Sequence, residues 1–279
     1  MPKNEYEVET PPQDRDAALF EKKLLDNPEI NAFFGSGWIY SNIRIRYRDD
    51  RKEIHPLFWA IVTSDNFLNG LVILQSSYNR FSSLIKQLKE DKDNFWGLVV
   101  NIEIFYEYRL RHSDVLFQPL IPNSKKQGDI KVVIGGIEYW GEILTINWGV
   151  KDKELDETDE GWKESNDDAR IKGKFLDKLE EFQFPKGEGI KRFFVLKLFG
   201  GADISDVDNA LSGQSCAILN SARQDISWGR NPNGIVHHPE GSRQLGKVDF
   251  IVIIDQRGKK QYIKNHSNSE NLEFFKSNF

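Results

Sequence analysis

The chain has 279 residues, of which 39% are hydrophobic and 29% charged, so it can bury a sizeable core and is not a disordered protein. This length allows one large domain or two modest ones. The single cysteine, Cys216, excludes an internal disulfide and a multi-cysteine metal site, and the net charge of −5 disfavours a basic protein that coats nucleic acid nonspecifically.

Residues 1–93 are predicted to form an N-terminal extension of helices and one strand. A short helix is expected from Asp14 to Asp26. The alternation of apolar and polar residues from Trp38 to Tyr47 predicts a half-buried strand. Apolar residues then recur every three or four positions, which predicts a long amphipathic helix from a cap at Ser64-Asp65 to about Glu90.

A second long helix, FWGLVVNIEIFYEYRL, is predicted from a cap at Asp93 or Asn94 to about His112. It is unusually apolar and aromatic, so most of its circumference should be buried. No segment nearby has the composition of a linker. We therefore expect one domain, in which the extension packs on a core over residues 94–279.

The sequence then changes to a pattern typical of strands. Strands are predicted at Val115–Pro119, at Gly128–Ile134 and at Glu138–Ile146. Gly135-Gly136 lies between the last two and is typical of the tight turn of a β-hairpin.

The remainder of the chain alternates helices and strands. The acidic segment Lys151–Asp168 is expected to be a solvated loop, and a helix is predicted from Ala169 to Phe182. Phe193–Phe199 and Val248–Asp255 are apolar runs typical of buried strands, with a short helix at Asp206–Leu211 between them. This order predicts an α/β sheet with helices on both faces.

Three acidic residues are predicted to lie within these elements. Glu103 is in the apolar helix, Asp129 begins a hairpin strand, and Glu142 is on the paired strand. A carboxylate in the interior of an element is costly to bury without a partner. If the three converge, they offer the oxygen ligands that Mg²⁺ prefers, and a bound ion could assist phosphodiester hydrolysis.

These segments resemble the PD-(D/E)XK, or restriction-endonuclease-like, nuclease superfamily. In that family a helix carries a Glu, a hairpin carries an Asp, and the next strand carries Glu-x-Lys. The corresponding segments here are FWGLVVNIEIFYEYRL, KKQGDIKVVIGG and IEYWGEILTI. The resemblance covers roughly residues 94–199 and implies a restriction-endonuclease-like mixed central sheet flanked by helices, with an N-terminal helical extension.

The resemblance also implies an activity, the Mg²⁺- or Mn²⁺-dependent hydrolysis of DNA. It implies that Asp129, Glu142 and the main-chain carbonyl of Ile143 bind the metal. It implies that Glu103 binds a second metal or orients water. DNA is the expected partner, and the protein could also form a homodimer.

The chain departs from the family pattern at two positions. Gly128 stands where the family commonly has Pro, and Leu144 stands where it has the Lys that contacts the attacking water or the developing phosphorane charge. Removing such a group commonly costs orders of magnitude in rate. Another cation could reach the site, with Lys131, Lys172 and Lys174 as candidates. Alternatively, the chain is a binding or scaffold protein that keeps the fold without the chemistry.

Several candidate site residues also have a purely structural interpretation. Glu103 could be a partly exposed helix residue, and Glu107, one turn later on the same face, could replace it. Lys172, Lys174 and Lys178 are typical of a solvated helix face, although Lys174 and Lys178 could instead line a ridge that faces phosphate.

Two further motifs are weaker candidates. The adjacent residues His237 and His238 would point opposite ways on a strand, so a surface loop is favoured over a catalytic pair. The segment Arg223–Arg230 places two arginines around Trp228, which suits either base stacking or a buried Trp in an irregular loop.

No apolar run approaches the length of a membrane span, and the polar N-terminal segment has no signal-peptide core. We therefore expect no membrane partner and a cytoplasmic or otherwise intracellular location.

Overall fold

The computed structural model divides the chain into two compact units, residues 1–107 and residues 108–279. It describes residues 12–147, 167–181, 185, 187, 189–199, 204–213, 215–220, 225–230, 234–237, 239–255, 257–264 and 272–279. The protein is a mixed α/β structure with a six-stranded mixed sheet flanked by helices.

The described residues of the first unit form helices and no strand. Its elements are α1 (Pro12–Asp26), α2 (Pro28–Phe34), α3 (Ser36–Ile39), a π-helical segment (Tyr40–Arg44), α4 (Ile45–Asp49), α5 (Leu57–Thr63), α6 (Asp65–Ser77), α7 (Phe81–Glu90) and α8 (Phe95–Arg111), whose last residues belong to the second unit. Taken singly, none of the described helices has the length and apolar composition of a membrane span, and α5 with α6 reaches them only as a pair bent by 105°.

The predicted strand at Trp38–Tyr47 is wrong, because this segment forms α3, the π-helical segment and the start of α4. Ile39 and Ile43 are fully buried and lie four residues apart, which is the spacing of one helix face. Ile45, which a strand would place on the same face as Ile43, is instead 36% exposed. Packing among helices therefore overrides the alternation of the sequence.

The long helix predicted after Ser64 is two helices, α6 and α7. Ser64 caps α6 as predicted, since its Oγ accepts a hydrogen bond of 3.1 Å from the main-chain N–H of Phe67. The helix ends at Ser77, where Tyr78 takes an extended conformation. The hydroxyls of Ser76 and Ser77 both donate to the carbonyl of Ile73, so side chains compete for a carbonyl in the last turn of α6.

The second unit is built on the six-stranded sheet. Its strands lie in the order β1 (Val115–Phe117), β2 (Ile130–Ile134), β3 (Ile137–Asn147), β4 (Ile190–Phe199), β7 (Phe250–Ile254) and β8 (Lys260–Lys264). The β1–β2, β2–β3 and β7–β8 pairs are antiparallel, whereas β3–β4 and β4–β7 are parallel. A separate antiparallel pair consists of β5 (Ser215–Asn220) and β6 (Asp225–Arg230).

The helices of this unit lie between or after the strands. They are α9 (Asp167–Glu181), α10 (Ile204–Ser212), α11 (Pro239–Leu245) and α12 (Leu272–Asn278). The predicted strands, hairpin and helices of this part of the chain are confirmed, with bounds shifted by a few residues. Gly135 and Gly136 both have positive φ, 58° and 82°, which the tight turn between β2 and β3 requires.

Side chains of β4 alternate between the two faces of the sheet, and helices pack on both faces. On one face, the ring centroids of Phe194 and of Phe175 in α9 are 5.1 Å apart. On the other, the ring of Phe193 packs on Phe275 and Phe279 at the end of the chain, with centroid distances of 5.9 and 5.0 Å. The sheet therefore has one core beneath α9 and another beneath α12.

We expect Phe275→Ala to destabilise the second unit by about 3–5 kcal/mol, because the ring is buried and its loss leaves a cavity. Phe275 stacks on Phe250 with centroids 4.0 Å apart. Chemical unfolding would measure the change, with Phe274→Ala as the matched control. Phe274 is 43% exposed, so its truncation should cost less than about 1 kcal/mol. Equal losses for the two variants would contradict the packing described for α12.

Candidate functional site

The hairpin of β2 and β3 brings two acidic side chains together. The register pairs Ile130 with Gly141, so Asp129 and Glu142 are the next opposed positions. Antiparallel neighbours at opposed positions project to the same face. The Oδ2 atom of Asp129 accepts a hydrogen bond of 2.8 Å from the main-chain N–H of Ile143, which fixes that carboxylate beside Glu142.

A lysine from α9 completes this cluster. The Nζ atom of Lys178 lies 2.7 Å from Oε2 of Glu142 and 3.9 Å from Oδ2 of Asp129. One ammonium group therefore contacts both carboxylates, which confirms that the two side chains are close. We call Asp129, Glu142 and Lys178 the acidic–lysine triad.

The packing of α9 positions Lys178. Ile171, Phe175 and Leu179 recur every four residues, and all are buried in the core beneath α9. Lys178 is three residues after Phe175 and seven after Ile171, so it lies at the border of this buried stripe. The helix thereby holds the lysine stem against the sheet while the ammonium reaches the carboxylates.

Glu142 is the most deeply buried member of the triad, since its side chain is only 3% exposed. Burial raises the pKa of Glu142 well above its ordinary value, and the negative charge of Asp129 raises it further, while Lys178 opposes both effects. An ionised triad carries one net negative charge in a largely buried place. A site with this charge favours a cation or a proton.

The carboxylate oxygens of the triad are of the kind that a hard divalent ion takes as ligands. The carboxylates of Asp129 and Glu142 supply two ligands, and the main-chain carbonyl of Ile143 lies on the same strand. Among the described residues, no three or more His, Cys, Asp or Glu side chains are grouped in a way that could hold a metal. An ion at this place would therefore keep several waters, as Mg²⁺ commonly does.

The other predicted site residues lie as follows. Glu103 is in the first unit, where its Oε1 accepts a hydrogen bond from the Oγ of Ser64, the residue that caps α6. Lys131 forms an ion pair of 2.8 Å with Glu138 and lies over the ring of Trp140.

Lys172 and Lys174 share α9 with Lys178, and both are half-buried. The ion pairs that the structure describes at Asp129 and Glu142 come from Lys178, which sequence reasoning treated only as a member of a solvated face or ridge. The signal that could have identified it is its position beside two buried residues of the helix, Ile171 and Phe175. Leu144 is half-buried against the core beneath α9, so it is used for packing.

The weaker candidates are placed away from this cluster or outside the described residues. His237 is an exposed residue of a short 3₁₀ helix, and its Nε2 lies 3.1 Å from the carbonyl of Ser212. Trp228 is on β6, and its side chain lies outside the described part of the chain, as do His238 and the acidic segment 151–166.

Comparisons of the chain with protein-family models, with curated proteins and with solved structures give no match.

The raised pKa of Glu142 predicts a pH dependence of stability. A carboxyl whose pKa is higher in the folded state binds more protons when folded, so its contribution to stability falls as pH rises above its ordinary value of 4.5. Glu142→Gln removes this titration. We therefore expect the free energy of unfolding of the variant to improve relative to wild type between pH 5 and pH 8, by about 1 kcal/mol or more.

Urea unfolding at several pH values would measure this difference. Glu138→Gln is the matched control on the same strand, because hydrogen bonds from Lys131 and then Trp140 lower the pKa of Glu138. Its stabilisation is complete above pH 4.5 and is lost only in acid, so its difference from wild type should stay flat from pH 5 to pH 8. A flat Glu142→Gln difference would contradict the raised pKa.

Proposed function

We propose that this protein is a nucleic-acid hydrolase that cleaves DNA phosphodiester bonds with Mg²⁺ or Mn²⁺. The observation that carries the proposal is the convergence of Asp129, Glu142 and Lys178. Two carboxylates side by side can bind a divalent ion, and an ammonium beside them can stabilise charge that develops on a phosphate. This is the set of groups that a metal-dependent nuclease needs.

The metal would be held by the carboxylates of Asp129 and Glu142 and by the carbonyl of Ile143. When bound, the ion supplies positive charge for the phosphodiester and lowers the pKa of a coordinated water. Binding would also lower the energetic cost of burying the ionised Glu142, because the carboxylate would gain a second cationic partner besides Lys178.

Lys178 would take the part of the family lysine that Leu144 replaces. Its Nζ is within reach of both carboxylates, although it arrives from α9 and not from β3. In the resting protein it neutralises part of the acidic pair. During hydrolysis the same ammonium would face the phosphate oxygens or the attacking water, where a fixed positive charge lowers the barrier.

The order of elements around the triad supports the same proposal. A helix, three antiparallel strands, a helix and a parallel strand follow one another as α8, β1 to β3, α9 and β4. The superfamily resemblance implies a helix that carries a Glu before the hairpin, and α8 carries Glu103. We therefore propose a restriction-endonuclease-like core in this part of the chain, acting inside the cell, where DNA is its substrate.

An inactive binding or scaffold protein is the second candidate, and one observation favours it. The ion pair between Lys178 and Glu142 is short, and one partner is almost fully buried, so the pair neutralises the buried charge without a metal. A protein that has lost catalysis would keep this closed pair as a structural element. Metal binding and cleavage assays distinguish the two candidates.

The decisive variants lie on one helix. If Lys178 stabilises the developing phosphate charge, Lys178→Gln should lower metal-dependent cleavage of duplex DNA by about 100-fold or more. Lys172→Gln and Lys174→Gln, the residues that the sequence favoured for this role, should stay within about threefold of wild type. Single-turnover assays with Mg²⁺ and with Mn²⁺ would measure the rates.

Three outcomes contradict this proposal in different ways. A large loss of cleavage rate in Lys172→Gln or Lys174→Gln, with Lys178→Gln still active, would assign the role to Lys172 or Lys174 instead of Lys178. Full metal-dependent cleavage by Asp129→Asn and Glu142→Gln would show that the active site lies elsewhere. No cleavage by the wild-type protein on any DNA substrate would favour the scaffold.

Calorimetric titration of Mn²⁺ tests the metal site separately from catalysis. We expect a single site in wild type, lost in Asp129→Asn because one of its two carboxylate ligands is removed. Glu138→Gln, which changes a carboxylate of β3 that pairs with Lys131, should bind as wild type does. Equal binding by Asp129→Asn and wild type would contradict the assigned ligands.

A further inference from the structure

The first unit contains a polar cavity of about 510 Å³ that the acidic–lysine triad does not use. Its lining residues come from the π-helical segment, α4, the 3₁₀ turn at Arg51–Glu53 and the region of α7. They are Asn42, Arg46, Glu53, His55, Lys89 and Lys92. The volume is within the range of pockets that hold small molecules.

The charges of this cavity are predominantly positive. Arg46, Lys89 and Lys92 face a single carboxylate, that of Glu53, which lies 3.0 Å from Nη1 of Arg46. Lys89 also lies over the ring of Trp38, at 5.5 Å from its centroid, an arrangement that leaves its ammonium without a carboxylate in the described contacts. The lining residues therefore carry two net positive charges when His55 is neutral.

His55 is the most deeply buried residue that lines this cavity. Only 4% of the residue is exposed, and its ring is enclosed by Trp38 and Phe95, with centroids 5.0 and 5.4 Å away. Its Nδ1 accepts a hydrogen bond of 3.1 Å from the N–H of Leu57. A neutral imidazole that accepts at Nδ1 carries its proton on Nε2.

That Nε2 atom is buried. Burial and then the positive charge of Lys92 lower the pKa of His55 to about 4, and the hydrogen bond with the Lys89 carbonyl opposes them by less, so the ring is neutral near pH 7. The excess of positive charge in the cavity therefore comes from Arg46, Lys89 and Lys92.

We propose that this cavity binds the phosphate group of a small phosphate monoester. The guanidinium of Arg46 suits the oxygens of a phosphate, and the two lysines add point charges on the α7 side. A monoester carries nearly two negative charges near pH 7, which match the net charge of the lining. The rest of the cavity would hold the remainder of the ligand, with the His55 ring among its lining residues.

This inference is independent of the nuclease proposal, because it concerns residues of the first unit alone. The triad lies wholly in the second unit. Phosphate binding with no cleavage, or cleavage with no phosphate binding, would separate the two proposals.

Isothermal titration of the full chain in a phosphate-free buffer without divalent metal would test the proposal. The probes are inorganic phosphate, a nucleoside 5′-monophosphate, the corresponding nucleoside, and acetate. We expect the monophosphate to bind with a dissociation constant below about 1 mM and inorganic phosphate to bind more weakly. The nucleoside and acetate, which lack a phosphate dianion, should give no heat.

Arg46→Gln and Lys92→Gln should each weaken binding of the monophosphate by about tenfold or more. Both residues are exposed, so the variants should fold. Lys86→Gln is the matched control, since Lys86 is an exposed lysine on α7 that does not line this cavity. In NMR spectra, the imidazole signals of His55 should shift on titration, and His55→Gln would assign them.

Any of three results would overturn the proposal. Acetate or the nucleoside could bind as tightly as the monophosphate, which would exclude recognition of a phosphate. Lys86→Gln could weaken binding as much as Lys92→Gln, which would indicate general charge attraction. The third result is that no probe gives heat or shifts the His55 signals, which would show that the cavity is a solvated structural feature.

Discussion

The side chain of Glu142 is almost fully buried in the second unit, so its carboxylate has to be stabilised by the residues around it. An isolated ionised carboxylate in a protein interior is very costly. Here Lys178 supplies a direct ion pair, but Asp129 adds a second negative charge beside it. Burial of this pair is unfavourable for stability, because one ammonium balances only one of the two negative charges.

The surrounding fold keeps these three groups in place. The hairpin register sets Asp129 opposite Glu142, and the hydrogen bond from Ile143 fixes the aspartate. The buried stripe of α9 orients Lys178, while the rings at the end of the chain pack on the other face of β4. Glu142 and Lys178 thus lie on regular elements, which hold geometry more closely than loops do, and Asp129 lies directly before β2.

The two units each contain a cluster of charged side chains, and the two clusters have opposite net charge. In the second, two carboxylates share one lysine, so the site has a deficit of positive charge. In the first, three cations share one carboxylate, so the cavity has an excess of positive charge. The modest overall charge of −5 conceals these two opposite local balances.

The sequence by itself determined the hairpin of β2 and β3, the helix α9 and the positions of Asp129 and Glu142, because turn chemistry and apolar periodicity are local. It misassigned Trp38–Tyr47 as a strand, since burial among helices decided that segment. For Lys178 it left open a solvated helix face or a ridge that faces phosphate. Only the tertiary structure placed Lys178 against both carboxylates, because that contact depends on how the helix is rotated against the sheet.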